Sequence, residues 1–316
     1  MKKIFITGAA GFIGSHLSER LFLTYKNTQF ILFDKITYAA NKKYLKKLLI
    51  KKNVKFVRGD LLNFKMLEKY LNKVDLAINV AAESHVDNSF GNSLIFTKTN
   101  TLGTHYFLEA CRKQKIKKII HVSTDEVYGE NLGRPFTEKQ FLNPTNPYSA
   151  SKAGGDMIVN SYKHSYNLNI ATVRANNIYG IRQYPEKLIS KSIMCFIKKK
   201  KMTIHGKGNR FRHYLSVHDF CDGILKIIKS KKFNQIYNIG SDDYYNIIEV
   251  VKMISNYFNL NINKNIKFVK NRPFNDKIYK INCTKLKKLG WKPKRNLKDD
   301  IPFICEWYKK NSKIFR

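Results

Sequence analysis

The feature that most constrains this chain is the apolar run Lys3 to Thr7, which breaks at once into Gly8, Gly11 and Gly14 and then into a helical pattern from Phe12 to Thr24. Glycine at those points lets a backbone turn tightly, approach a pyrophosphate and open a helix whose first N–H groups face the anion. Strand, glycine turn and helix in that order predict a dinucleotide site formed by Gly8, Gly11, Phe12, Ile13 and Gly14. A second apolar run ends in Phe33-Asp34, and Asp34 lies twenty residues past Gly14, with Lys35 beside it. A carboxylate there accepts hydrogen bonds from an adenosine ribose and repels a 2′-phosphate, which favours NAD over NADP. The plainer alternative makes the three glycines ordinary turn formers and Asp34 a helix cap.

Beyond the turn, short β-branched runs alternate with amphipathic stretches, the pattern of a parallel sheet covered by helices on both faces. The expected strands are Lys3 to Thr7, Phe30 to Phe33, Val54 to Val57, Leu76 to Val80, Ile119 to Ser123 and Ile170 to Arg174. The expected helices are Phe12 to Thr24, Met66 to Leu71, Leu94 to Gln114 and Ser149 to Asn167, followed by Val217 to Ile228 and Ile247 to Phe258. The fold class is therefore α/β, a doubly wound parallel Rossmann sheet with a smaller α/β substrate-binding lobe. Residues 1–180 are read as the NAD-binding domain and 181–316 as the second lobe, some of whose segments return to the first. Asp60 and Leu61 after the third strand, and Ala81 and Ala82 after the fourth, sit at further carboxyl ends of the sheet and join the cofactor set.

A formal charge of +36 would ordinarily raise a nucleic-acid partner. Here lysine is spread along the whole chain, and the one dense run, Lys198 to Lys201, lacks interleaved aromatics, so no specific nucleic acid is expected. No apolar stretch approaches the roughly 18 residues of a membrane span, and Met1-Lys2-Lys3 runs straight into a strand, so no membrane is expected and the location reads as cytoplasmic. The five cysteines lie far apart without paired ligand spacing. They read as reduced packing residues, and no metal is expected.

Tyr148 and Lys152 stand one helical turn apart at the start of a predicted helix and share a face. A cationic Lys152 is expected to lower the phenol pKa, so that Tyr148 can act as a base toward a sugar hydroxyl. The alternative is a surface pair on a helix. Thr124, Asp125 and Glu126 follow the strand Ile119 to Ser123 at the ligand edge. Two adjacent carboxylates there should crowd each other, leaving one protonated and one ionised, an acid and a base.

Several runs together carry a family resemblance: Ala81-Ala82-Glu83-Ser84-His85-Val86-Asp87-Asn88-Ser89, Ser123 to Gly129, Tyr148-Ser149-Ala150-Ser151-Lys152-Ala153, Tyr184 to Leu188, Tyr237-Asn238-Ile239-Gly240 and Asn271 to Asp276. The chain resembles the extended short-chain dehydrogenases and, within them, the nucleoside-diphosphate-glucose 4,6-dehydratases. Phe274-Asn275 and the Val86 to Ser93 run look most like the UDP-glucose 4,6-dehydratase domain of plant UDP-rhamnose synthases and its relatives in large DNA viruses, with dTDP-glucose enzymes next. The resemblance implies that Tyr148, with Lys152, deprotonates the hydroxyl on sugar carbon 4 while NAD takes the hydride, and that Thr124 positions that oxygen. It implies that Glu126 removes the proton at carbon 5, Asp125 protonates the hydroxyl leaving carbon 6, and the hydride returns to carbon 6. It places Ser84, His85, Thr124, Asn177, Lys187, Leu188, Arg212, Asn246, Arg272 and Asn275 around the substrate, arginine matching phosphate through its planar donor fork. It also implies a homodimer through the helices Leu94 to Gln114 and Ser149 to Asn167, and a place in rhamnose or other deoxysugar biosynthesis.

Two other classes stand beside this one. A sugar-nucleotide epimerase or decarboxylase shares the scaffold and the Tyr-Lys pair, but needs no acid at the position of Asp125. A non-catalytic NAD-sensing or nucleic-acid-binding protein would have little need to keep both Tyr148 and Lys152.

Overall fold

The computed structural model describes residues 1–271 and 276–315. Seven strands make the large sheet: β1 (Lys3–Thr7), β2 (Gln29–Asp34), β3 (Val54–Arg58), β4 (Leu76–Asn79), β5 (Lys118–Thr124) and β6 (Ile170–Ala175), closed at one edge by a strand from much later in the chain. Before that strand come β7 (Asn177–Tyr179), β8 (Met202–His205) and β9 (Phe211–Ser216); the strand itself is β10 (Ile236–Ile239). The order β10-β6-β5-β4-β1-β2-β3 is parallel throughout. It reverses direction between β1 and β4, where the crevice of such a sheet binds its ligands. The class anticipated from the alternating pattern is the one observed.

Side chains alternate between the two faces of the sheet and so divide the core. Ile4, Ile6, Ile78 and Ile120 pack with Leu17 and Leu21 of helix Phe12–Thr24 and with Phe220 and Ile224 of helix Val217–Lys229. Phe5, Ala77 and Ile119 face the other way, onto Phe107 and Leu108 of helix Gly103–Lys113 and Val159 of helix Pro147–Tyr166. Covered on both sides, the central strands are mostly apolar, broken by buried polar side chains such as Asn79, His121 and Arg174.

Beyond Tyr179 the chain serves two cores. β11 (Tyr244–Asn246), β9 and β7 form one small sheet, and β12 (Ile266–Val269) pairs with β8 in another. Over them, helices Leu188–Ile197, Ile247–Tyr257 and Leu297–Asn311 bury a separate apolar cluster that includes Ile193, Ile254 and Ile304. By contrast, β10 joins the large sheet, and Leu286 and Trp291 pack in its core.

Two elements differ from the sequence reading in ways that shape the site. The expected helix Leu94 to Gln114 is a short helix Ser93–Phe96, a π-helical stretch Thr97–Leu102 and then Gly103–Lys113. The π stretch turns Asn100 inward, where its amide accepts from Glu83 N and donates to Glu83 O and Ser151 Oγ, each at 2.9 Å. Helical periodicity cannot reveal that one-residue bulge, which recurs at functional sites. The second helix begins at Pro147 rather than Ser149, because Asn146 and Ser149 cap it reciprocally and proline suits the first helical position. Asn167 ends it in the left-handed conformation, at φ 53°.

Candidate active site

One long cleft runs along the carboxyl edge of the large sheet and continues beneath the smaller lobe. At its sheet end lie Gly8, Gly11, Phe12, Ile13 and Gly14, the cofactor set expected from the turn. Gly8 sits at φ +64°, and a Cβ there would lie 2.7 Å from the Ala81 backbone. A Cβ on Gly14 would lie 2.0 Å from Gly8 O. The turn therefore closes only with glycine at these two positions, and no side chain caps the helix that follows it. Asp34 is buried at the end of β2, its carboxylate accepting from Ala10 N at 2.8 Å and Ile36 N at 2.7 Å. Burial raises its pKa, and the backbone N–H groups of Ile36, Ala10 and Gly11 oppose that rise. Lys35 does not stand free beside it: its Nζ lies 2.7 Å from Asp60 Oδ2. Leu61, Ala81 and Ala82 complete this end of the cleft. A glycine cradle, an uncapped helix start and a held carboxylate fit an adenosine dinucleotide.

Deeper in the cleft, β5 delivers Thr124, Asp125 and Glu126 opposite Tyr148 and Lys152 of helix Pro147–Tyr166. Asp125 is 2% exposed and accepts from Asn176 Nδ2 at 2.6 Å; Glu126 Oε2 lies 3.4 Å from Asn146 Nδ2. Burial first, and then the Glu126 charge, pushes the Asp125 carboxyl up to about 7. Burial also raises Glu126, against the pull of Lys187 and Arg212. Loss of solvent lifts both carboxyls, and the crowding expected from the sequence adds to the rise of Asp125, while Lys187 and Arg212 oppose the rise of Glu126.

The expectation that Lys152 lowers the Tyr148 phenol is corrected by the surroundings of that phenol. Burial raises its pKa, the carboxylates of Glu126 and Asp125 add to the rise, and a hydrogen bond with Thr124 opposes it. Lys152 Nζ instead donates to Val122 O at 2.7 Å, and burial brings its own pKa down to about 8. Another cation lies against the ring face, Lys187 Nζ at 6.0 Å from the ring centroid.

Of the substrate positions expected from the resemblance, Ser84, His85, Asn177, Lys187, Leu188 and Arg212 all line the cleft. Lys187 Nζ donates to Ser84 O, and His85 Nε2 lies 3.2 Å from Glu186 O, so the two lobes meet over the cleft. Asn246 is placed elsewhere. It caps helix Ile247–Tyr257, with Oδ1 accepting from Glu249 N at 2.9 Å, and does not line the cleft. Arg272 and Asn275, with Phe274, lie outside the described residues. The sequence reading gave no role to Asn176 and Asn146, which hold the two acids, although Asn176 adjoins Asn177. It also passed over Tyr38, whose hydroxyl donates to Glu186 Oε2 at 2.8 Å from the opposite lobe and which no local signal identifies. Among the described residues no group of three or more His, Cys, Asp or Glu side chains is arranged to hold a metal ion, and no helix is long and apolar enough to cross a membrane. All five cysteines are free thiols.

Residues 5–302 match the family described as GDP-mannose 4,6 dehydratase. The chain is 43% identical over 318 residues to the trifunctional UDP-glucose 4,6-dehydratase/UDP-4-keto-6-deoxy-D-glucose 3,5-epimerase/UDP-4-keto-L-rhamnose-reductase of Arabidopsis thaliana, a match covering 98% of this chain and 48% of that protein. It therefore spans about half the length of that relative. It is 41% identical to the dTDP-D-glucose 4,6-dehydratase of Dictyostelium discoideum, over 98% of this chain and 82% of the other. The structure resembles that of a dTDP-glucose 4,6-dehydratase from Streptomyces venezuelae solved with NAD bound, with a TM-score of 0.96, 31% identity and 99% of both chains covered.

Proposed function

The chain belongs to the GDP-mannose 4,6 dehydratase family, and from that premise we propose that it is an NAD-dependent 4,6-dehydratase of a nucleoside-diphosphate glucose, with UDP-glucose preferred over dTDP-glucose. The observation that carries this reading is Asp125, a carboxyl buried in the cleft with Glu126 and Tyr148, where burial pushes its pKa up to about 7. An acid so placed suits the expulsion of a hydroxyl, which an epimerase has no need of.

NAD bound at the glycine turn and Asp34 would supply a hydride acceptor and donor, and a cationic ring whose charge opposes the carboxylates that keep Tyr148 protonated. The side chains do the rest. Tyr148 takes the proton of the carbon 4 hydroxyl as its hydride departs, with Thr124 positioning the oxygen. The resulting ketone acidifies carbon 5, so Glu126 can remove its proton. Asp125 protonates the carbon 6 hydroxyl, which leaves as water, and Glu126 gives its proton back to carbon 5, while the hydride would return from the bound cofactor to carbon 6. Substrate and product differ by one water, and the cofactor ends as it began.

The preference for UDP rests on the Arabidopsis relative and on the Phe274-Asn275 run in the sequence. We extend the reading to a homodimer formed through helices Gly103–Lys113 and Pro147–Tyr166 and the segment before the first, where Leu94, Leu102, Met157 and Tyr166 expose apolar surface. Residues 1–180 would hold the cofactor and 181–316 the sugar nucleotide, in the cytoplasm, as a step toward a deoxysugar. Incubation with UDP-glucose and dTDP-glucose separately, followed by the alkali-induced absorbance of a 4-keto sugar, tests this. Signal with UDP-glucose above dTDP-glucose is expected; no signal with either overturns the enzymatic reading.

A further inference from the structure

Behind the catalytic pair lies a charged group that the proposed chemistry does not use. Tyr148, Lys152 and Asp156 follow one another at four-residue steps, which stacks them on one face of helix Pro147–Tyr166. The first two line the cleft and Asp156 does not. Its carboxylate is buried, with 2% of the side chain exposed, and lies 2.8 Å from Arg174 Nε of β6 and 3.4 Å from His121 Nε2 of β5. Arg174 in turn donates to Tyr128 Oη at 2.9 Å. A polar line continues from His121 to Asn79 at 3.4 Å and to Thr7, whose Oγ1 accepts from the Val80 and Ala81 N–H groups at the cofactor edge.

An ion pair this deep is costly to build, and structural stability alone is weak grounds for keeping one. Resting on the reading of Lys152 as the partner of Tyr148, we propose that Asp156 is a positioning residue, whose carboxylate, fixed by Arg174, keeps the Lys152 ammonium charged and directed at Val122 O and the cleft. The groups facing this part of the helix are few. Tyr148 and Asp156 stand on the helix itself, His121 on β5, Arg174 on β6, and Asp125 and Glu126 follow β5; Lys187 of the smaller lobe lies against the Tyr148 ring, and the packed segment Thr97–Leu102 presents the uncharged Asn100 and Thr101. Of these, Asp156 is the one whose charge counteracts the loss of Lys152 hydration. Burial raises the Asp156 pKa, but Arg174 and then His121 outweigh it and hold the carboxyl at about 2, so it is anionic wherever the enzyme works.

The test follows the Lys152 side-chain carbon resonance with pH in protein carrying labelled lysine, as purified, the signal assigned by its loss in Lys152→Met. In Asp156→Asn the titration should move about one pH unit toward acid, the scale of one nearby opposite charge. Activity should then fall roughly five-fold at pH 8 and stay near wild type at pH 6, and Asp156→Glu should restore both. Arg174→Lys keeps a cation beside the carboxylate, so Asp156 stays ionised, while removing the guanidinium that also bonds Tyr128; Lys152 should then titrate as in wild type, and this arm decides the matter if Asp156→Asn does not fold. An unmoved Lys152 titration in Asp156→Asn, or a downward move of about one pH unit in Arg174→Lys, overturns the proposal. Neither outcome touches the dehydratase reading, which the wild-type product decides.

Discussion

Replacing Asp125 by Asn removes one titrating proton and almost no volume, and it has two consequences that can be read separately. The folded carboxyl titrates near 7 against an ordinary value of 3.8. A group whose pKa is raised on folding holds its proton better in the native state, so its relative stabilisation is complete below the unfolded value and is lost as pH rises toward 7. Integrated between pH 5 and 8.5, that loss comes to roughly 3 kcal/mol. Asparagine does not titrate, and its amide can accept from Asn176 and face Thr124 Oγ1, the neighbours of the native carboxylate at 2.6 and 3.3 Å. The variant should therefore melt progressively higher than wild type as pH rises, the difference growing by on the order of 4 °C between pH 5 and 8.5. Water elimination should fall by about 10² to 10⁴ because the proton donor is gone, while oxidation at carbon 4 continues and reduced cofactor accumulates at 340 nm. In wild type, kcat/KM should begin to fall above about pH 7 as Asp125 ionises. A melting difference that does not change with pH, or undiminished 4-keto-6-deoxy product, would refute the assignment of Asp125 as a buried acid.

Other consequences follow from the same geometry. Gly14→Ala sets a Cβ 2.0 Å from Gly8 O, so the turn must open; the purified variant should carry less than a tenth of the wild-type dinucleotide by absorbance after denaturation, and full occupancy would contradict the cradle. Tyr148→Phe should lower kcat by about 10² to 10⁴ with dinucleotide affinity changed far less; a drop in affinity alone would move Tyr148 from catalysis to binding. Met157→Asp places a charge on an exposed apolar position of helix Pro147–Tyr166. Light scattering should show wild-type dimer and variant monomer, and an unchanged mass would remove this face from the interface.

Much of the fold is legible because its strongest signals are local. Lys3–Thr7 and helix Phe12–Thr24 run between the residues that alternation and the glycine turn indicate, and the remaining strands of the first half differ by a residue or two at their ends. What escaped depended on long-range placement. Some late segments are expected to return to the first domain, but which ones is not legible in the sequence, and only the pairing of β10 with Thr172 to Ala175 identifies that strand as one. The acid pair was visible as two adjacent residues, yet its electrostatics were not, because burial and the cations Lys187 and Arg212 come from segments far along the chain. Lys152 misled for the same reason: four-residue spacing places it beside Tyr148 but does not show Val122 O accepting its hydrogen bond or Glu126 raising the phenol pKa. Asn246 looked like a substrate contact by resemblance, whereas the Glu249 that completes its capping box stands three residues on and was open to view.

The central claim is that one hydride leaves carbon 4 and returns to carbon 6 of the same sugar, with elimination between. Substrate carrying deuterium at carbon 4, converted in ordinary water and examined by NMR and mass spectrometry, tests it most directly. The account predicts product with deuterium at carbon 6 and a protium from solvent at carbon 5. Deuterium found again at carbon 4 of a sugar that keeps its carbon 6 hydroxyl would contradict it and make the chain an epimerase.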